Sequence, residues 1–397
     1  MISVSRLLCG MTSEGDSLRY GVSGSRTDVT QTTFGHRPIV VWNCTRRCNL
    51  HCIHCYAGSK NEEYEGELDH EEAKSFIRGL ADFDVPVLLF SGGEPLMREG
   101  IFDLASFARE LGLRIVISTN GTLITPQMAR RIKETGFAEA GISLDGIGSR
   151  NDQFRGQEGA YEAALQAIRN CIEVGQKTSV RFTITRRNYM DVPRIFDITE
   201  QESVPRVCFY HLAYAGRGNN IQQDDLVPKE TRAVMDCIFD RTLDLHRRGV
   251  KKEILTVDNH ADAVYLYQRV KRDYPERAPE VLDLLRRNGG NNSGVRIGAV
   301  DNLGNVHADQ FWWHYSFGNV RERKFGDIWL DTSDPVMRGL KNRRHLLGGR
   351  CARCQSVDVC SGNLRVRAEA VYGDIWAQDP ACYLTDEEVG LVPEPML

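Results

Sequence analysis

The sequence predicts an α/β fold. Six βα units form a partial, barrel-like parallel sheet, and a helical stretch and a small cysteine-rich C-terminal region follow it. Three observations carry this expectation. Short apolar runs alternate with amphipathic stretches from Pro38 onward, the pattern of strands joined in parallel through helices. That rhythm gives way after Gly216-Arg-Gly218. The twelve cysteines are unevenly placed, with three crowded into residues 48–55 and four into 351–382. A chain of 397 residues also exceeds the size at which one hydrophobic core stops growing, so more than one unit is expected.

The apolar runs, in order, are Ile39–Trp42, Val85–Phe90, Leu113–Ser118, Ala138–Leu144, Val180–Thr185 and Val207–Leu212. Between them the helical period appears near 70–82, 102–111, 126–135, 159–174 and 190–202. Residues 126–135 carry the clearest helix grammar: Thr125 as cap, Pro126 at the first helical position and Gly136 just past the end. Residues 1–36 lack a clear period and read as an irregular N-terminal extension. The expected organisation is this extension, a barrel over 37–220, a helical connecting and substrate region over 221–295, and a cysteine-rich domain over 296–397.

Composition narrows the function. A net charge of −4 argues against general nucleic-acid binding. No apolar run approaches the roughly 20 residues of a membrane span, and the start, broken by Arg6, is no secretory signal, so a cytoplasmic protein is expected. Clustered cysteines in such a chain point to metal rather than to disulfides.

The first cluster is Cys48-Asn-Leu-His-Cys52-Ile-His-Cys55, a C-x3-C-x2-C triad in the loop after the first strand. Chemistry in βα barrels sits on such loops. Three thiolates on one loop can hold three irons of a cubane and leave the fourth open, whereas structural iron–sulfur and zinc sites use four ligands. Zinc, with His51 or His54 as fourth ligand, is the alternative. The second cluster is Cys351-Ala-Arg-Cys354, Cys360 and Cys382, a four-thiolate set suited to a closed cluster or to a zinc ribbon. Upstream, residues 302–309 offer His307 and Asp309 but no cysteine, so four thiolates make one auxiliary cluster the expected count. The other five cysteines, including Cys44, read as small hydrophobes.

The triad resembles the signature of the radical S-adenosylmethionine (SAM) superfamily, and further motifs follow in the family's order. Ser91-Gly-Gly-Glu-Pro95 resembles its GGEP element, Ser118-Thr-Asn-Gly-Thr122 ends the third strand, Ser143-Leu-Asp-Gly146 the fourth and Thr183–Thr185 the fifth. The resemblance implies a partial (β/α)6 TIM-like barrel whose [4Fe-4S] cluster is held by Cys48, Cys52 and Cys55. It implies SAM contacts from Gly92, Gly93, Glu94, Pro95, Ser118, Asn120, Ser143 and Thr183, with Glu94 receiving the methionine ammonium. It also implies reductive cleavage of SAM to a 5′-deoxyadenosyl radical that abstracts hydrogen, and an electron donor such as flavodoxin or ferredoxin. The C-terminal cysteines resemble the SPASM/twitch subgroup, which implies a second [4Fe-4S] cluster on Cys351, Cys354, Cys360 and Cys382.

Within the superfamily, Val41–Cys48, Tyr210–Gly218, Asp309–Gly318 and Asp379–Glu388 are similar to tetrapyrrole-modifying members. These include the alternative-haem-pathway deacetylase of 12,18-didecarboxysiroheme, the haem d1 biosynthesis enzyme and the haem synthase that decarboxylates Fe-coproporphyrin III. Ile2–Gly10 and Asp16–Gly21 are most similar to the deacetylase, which implies removal of two acetate side chains to give Fe-coproporphyrin III. A flat iron macrocycle bearing carboxylates calls for aromatic walls and arginine forks. Arg343, Arg344, His345, Arg350, Arg365 and Arg367 are candidates for the carboxylates, Phe311, Trp312 and Trp313 for stacking, and His260 or His314 for the substrate iron.

Overall fold

Apolar residues alternate along the first six parallel strands, so each has one apolar face for the helices to cover and one mixed face to enclose. In the computed structural model, which describes residues 1–21 and 37–391, this is achieved by curling the sheet. The curled strands are β1 (Ile39–Thr45), β2 (Val87–Gly92), β3 (Arg114–Thr119), β4 (Ala140–Ser143), β5 (Thr178–Ile184) and β6 (Arg206–His211). They lie in sequence order and each pairs in parallel with the next.

One face packs on the helices. Val40, Trp42, Leu88, Phe90, Ile115, Ile117, Ile142, Val180, Phe182, Val207 and Phe209 all join the main core. The residues between them, such as Asn43, Ser91, Ser118, Ser143, Arg181 and Tyr210, line the inside of the curl. The register Arg181↔Cys208 and Thr183↔Tyr210 carries this lining continuously from β5 to β6.

The helices obey the expected grammar. Asp69 and Glu72 form a capping box at the start of His70–Asp82. Thr125 caps Pro126–Thr135 by accepting from the Met128 amide, and Gly136 ends that helix in the left-handed conformation at φ 85°.

Three expectations are corrected. The βα rhythm does not stop at residue 218, because helix Pro228–Arg247 leads into β7 (Glu253–Val257), parallel to β6. On the opposite edge β8 (Ile297–Val300) adds in parallel to β1, with β9 (Val306–His307) antiparallel to it. The described part of the N-terminal extension is not irregular: Ile2–Ser3 pairs antiparallel with β7, helices Val4–Cys9 and Asp16–Tyr20 follow, and Val4 and Leu7 are fully buried. Residues 22–36 of that expectation lie outside the described residues. β7 escaped the sequence reading because its five residues are buried on both faces and show no two-residue alternation. Among the described residues, no helix is long and apolar enough to cross a membrane.

Candidate active site

The C-terminal ends of β1–β6 and the loops leaving them meet at one mouth. The loop after β1 carries the cysteine triad. Cys48 and Cys52 pack with Leu50 in a small buried cluster, and Cys55 lies against it. The Leu50 amide points at Cys48 Sγ at 3.4 Å, and Arg155 Nη1 lies 3.6 Å from Cys52 Sγ. Such donors favour thiolate sulfur.

The loop is held by backbone clamps that require glycine. The Gly93 amide donates to the Thr45 carbonyl at 2.7 Å and the Glu94 amide to the Arg47 carbonyl at 2.9 Å. A Cβ on Gly92 would stand 2.2 Å from the Thr45 oxygen, and one on Gly93 would stand 2.2 Å from the Arg47 oxygen. The glycines thus admit the backbone of the cysteine loop itself. Across the mouth the Arg217 amide donates to the Cys55 carbonyl at 2.9 Å, Arg217 Nε to the Cys52 carbonyl at 2.7 Å and Nη1 to the Ser59 carbonyl at 2.8 Å. Gly216 lets this segment approach Tyr56, whose carbonyl oxygen a Cβ would meet at 2.3 Å. Arg155 and Arg217 were missed from the sequence. Their signals were the Gly156 and Gly216 that flank them.

Glu94 is fully buried. Its carboxyl accepts from Thr119 Oγ1 at 2.7 Å, the Leu96 amide at 3.1 Å and the Asn120 amide at 2.8 Å, and burial pushes it up to about 7. A carboxylate has about four acceptor sites, so three donors leave room for one more. Asn120 is turned to the triad, with Nδ2 2.9 Å from Asn49 Oδ1 and 3.9 Å from Cys48 Sγ, rather than standing free. Ser118 Oγ accepts from Arg181 Nη1 at 2.8 Å. Ser143 and Thr183 stand half-exposed at the mouth, the Thr183 amide donating to buried Asp145, which also pairs with Arg155. Cys44 is fully buried on the helix-facing side of β1, in the main core, and burial pushes its thiol to about 12.

Cys351 in helix Gly349–Arg353, Cys354 just after it, Cys360 at the end of helix Val357–Cys360 and Cys382 in the following loop region come together around a cavity of about 120 Å³. About 10–15 Å³ on this measure holds one water, so the space suits a many-atom group. Among the described residues no three Cys, His, Asp or Glu groups gather tightly enough for a single ion, whereas thiolates on one zinc would stand about 4 Å apart. The Ser356 amide reaches Cys354 Sγ at 3.4 Å, and Arg350 Nη1 reaches Cys382 Sγ at 3.4 Å. His307 and Asp309 do not line this cavity. His307 is held by the Tyr315 carbonyl and Asp301, Asp309 by Ser293 and the Phe311 amide.

The other expected substrate residues are redistributed. Arg367 is fully buried, pairing with Asp379 and donating to the Leu212 and Asp258 carbonyls. Arg365 is fully buried against the Ile375 and Ala377 carbonyls. Arg343 gives its donors to the Leu340 and Ser293 carbonyls and to Asn291 Oδ1. Arg350, besides Cys382, pairs with Asp386. Most of these donors are engaged within the fold, while Arg365 Nη2 has no hydrogen-bond partner among the described residues. Arg344 and His345 are exposed. Trp312 is fully buried in a satellite core, where Phe311 meets Tyr56 edge-on at 5.4 Å, and Trp313 is half-buried. His314 is half-exposed and bonds Glu369 at 2.9 Å. His260, just after β7, is 5% exposed, its Nδ1 has no hydrogen-bond partner among the described residues, and burial holds the ring neutral.

A family model described as the radical SAM superfamily matches residues 42–197. Over 395 residues the chain is 55% identical to the Fe-coproporphyrin III synthase of Methanosarcina barkeri, covering 98% of this chain and 99% of that one. The chain belongs to the radical SAM superfamily. It is also 43% identical over 358 residues to the pre-heme d1 synthase of Dinoroseobacter shibae, covering 89% of this chain and 88% of the relative. Among solved structures it resembles Streptococcus suis SuiB bound to S-adenosylmethionine, with a TM-score of 0.68 at 18% identity, over 88% of this chain and 78% of that one. That likeness speaks to the fold alone. As a radical SAM enzyme the chain requires a [4Fe-4S] cluster and SAM, and the mouth described above has the donors for both.

Proposed function

We propose that this radical SAM enzyme removes the two acetate side chains of 12,18-didecarboxysiroheme to give Fe-coproporphyrin III. The observation that carries the reading is the 55% identity, sustained from end to end, to a protein named Fe-coproporphyrin III synthase. Cys48, Cys52 and Cys55 hold the SAM-chelating cluster, and Cys351, Cys354, Cys360 and Cys382 hold a second [4Fe-4S] cluster. When bound, cluster and SAM together supply a 5′-deoxyadenosyl radical able to take hydrogen from an unactivated carbon. A flavodoxin or ferredoxin provides the electron.

The chain's own part is orientation and exclusion of water. Glu94, through its remaining acceptor site, and the Gly92–Gly93 backbone face the methionine ammonium. Ser143 and Thr183 stand at the strand ends on the SAM side. His260, neutral and with Nδ1 unpartnered among the described residues, is the candidate ligand of the substrate iron.

Anaerobic incubation of the reconstituted protein with 12,18-didecarboxysiroheme, SAM and dithionite tests the reading. The expected products by mass spectrometry are Fe-coproporphyrin III, methionine and 5′-deoxyadenosine. A different macrocycle would move the assignment towards the pre-heme d1 synthase reaction, and an untouched macrocycle would refute it. Cys360→Ala separates the two clusters: the iron content should fall from about eight to about four per chain. About four irons in the wild type would exclude the second cluster, and retention of about eight in the variant would exclude Cys360 as its ligand.

A further inference from the structure

The cavity of the four C-terminal cysteines is lined by Arg350 and Asp379 as well as by the thiols, and the charges around it do not cancel. Asp379 is neutralised by Arg367 in a fully buried pair, and its oxygens also accept from the Leu364 and Ala381 amides at 2.8 Å each. Asp386 pairs with Arg350 from an exposed position, and Asp358 pairs with Arg286. Arg365 has no such carboxylate. It is fully buried, and among the described residues it forms no ion pair.

Arg365 Nη1 caps the Ile375 and Ala377 carbonyls at 3.0 and 2.6 Å, whereas Nη2 is buried without a hydrogen-bond partner among the described residues. Gly362 lines the cavity, and a Cβ on it would stand 3.3 Å from Arg365 Cζ, so the guanidinium lies behind the cavity wall. Its charge acts on Cys351 and Cys360. At Cys382 a second guanidinium, Arg350, points Nη1 at Sγ from 3.4 Å. The triad differs: Arg155, 3.6 Å from Cys52 Sγ, is neutralised by the fully buried Asp145. A buried cation with an unmet donor and no counter-ion is costly. Four thiolates on a cubane core leave a net negative charge that would meet it.

We infer that Arg365 and Arg350 set the redox poise of the second cluster: their positive charges favour its reduced form and raise its midpoint potential. This rests on the [4Fe-4S] reading of Cys351, Cys354, Cys360 and Cys382. Reduction adds one electron, from the flavodoxin or ferredoxin, and breaks no bond, so it deepens an anion beside fixed cations. Net charge and hydrogen bonds to the sulfurs are what move such potentials. Arg365, buried and uncompensated, carries the larger share. Arg350 is shared with Asp386 and partly open to water, which screens it.

The test is an EPR-monitored redox titration of the reconstituted full chain, wild type against Arg365→Gln, Arg365→Lys, Arg350→Gln and Asp386→Asn, each checked for iron content. SAM binds at the open iron of the triad, so the reduced signal that SAM leaves unaltered belongs to the second cluster. Arg365→Gln should shift its reduction equilibrium about ten-fold towards the oxidised form, a fall of about 59 mV for one electron. Arg365→Lys, which keeps the charge, should stay within about two-fold of wild type. Arg350→Gln should lower the midpoint by a smaller step, and Asp386→Asn, which frees Arg350 of its partner, should raise it. The SAM-sensitive signal should keep its midpoint in every variant. Equal shifts in Arg365→Gln and Arg365→Lys would assign the effect to packing and overturn the role of charge. So would an unmoved midpoint in an iron-replete Arg365→Gln. If Arg365→Gln loads no second cluster, Arg350→Gln and Asp386→Asn decide: opposite shifts support the poise, and shifts of one sign or none overturn it. A wild type with about four irons and only the SAM-sensitive signal would refute the second cluster itself, and the poise with it.

Discussion

Arg217 Nε donates to the carbonyl oxygen of Cys52 at 2.7 Å, bridging 165 residues of chain to fix the loop that carries the triad. With Nη1 on the Ser59 carbonyl and its own amide on the Cys55 carbonyl, this one residue after β6 sets where the second and third cysteines stand relative to the barrel. The loop after the first strand is therefore shaped by the end of the sixth.

Removing that clamp should cost more than activity. Arg217→Ala loses two side-chain bonds from a charged donor, about 1.5–3 kcal/mol each at most. The expected outcome is a reconstituted protein with less than half the wild-type iron at the triad and a lower melting temperature. Wild-type iron content and stability in the variant would show that the loop holds its shape without Arg217.

Gly93→Ala tests the opposite clamp. The added methyl would stand 2.2 Å from the Arg47 oxygen and 2.6 Å from its carbon, both backbone atoms that cannot rotate away. Destabilisation of about 1–3 kcal/mol is expected by denaturant melts, together with loss of the triad cluster's EPR signal on reduction. Gly79→Ala, at a half-buried helix position with nothing within 4 Å of the new methyl, is the control that should lose neither stability nor the cluster signal.

The buried pair of Arg367 and Asp379 ties the cysteine-rich region to the sheet, because Arg367 also holds the carbonyls of Leu212 and Asp258. Arg367→Met should destabilise the protein by about 3–5 kcal/mol, since it strands a buried carboxylate. In Arg367→Met/Asp379→Asn much of that loss should return. A double variant as unstable as the single one would place the cost in packing rather than in the orphaned charge.

Lys252 supplies a pH dependence away from the clusters. Its ammonium donates to the Thr199 carbonyl at 2.9 Å and to the Val204 carbonyl, and burial lowers it from 10.5 to about 8. Between about pH 8 and 10.5 the unfolded chain holds a proton that the folded chain has released, so this group makes stability rise with pH in that window. Thermal melts of wild type and Lys252→Met should show the wild type gaining on the variant from pH 7.5 to 9.5. A constant difference would mean that Lys252 titrates normally in the folded protein.

The cysteine spacing, the order of the motifs and the helix Pro126–Thr135 were legible in the sequence. Each is written in neighbouring residues, where a cap, a proline and a left-handed glycine act within one turn. The tertiary structure decided which charges are available. Six cations near the C-terminal cysteines looked equivalent in sequence, yet Arg365 and Arg367 are fully buried on partners, and Arg343 reaches back to Asn291 and Ser293. Arg181, passed over as one polar residue in an apolar run, forms no ion pair among the described residues and bonds Ser118 instead. Periodicity tells which face of a strand a side chain takes. It cannot tell whether a carboxylate from a distant segment arrives to neutralise it, because that depends on contacts that exist only once the sheet has curled.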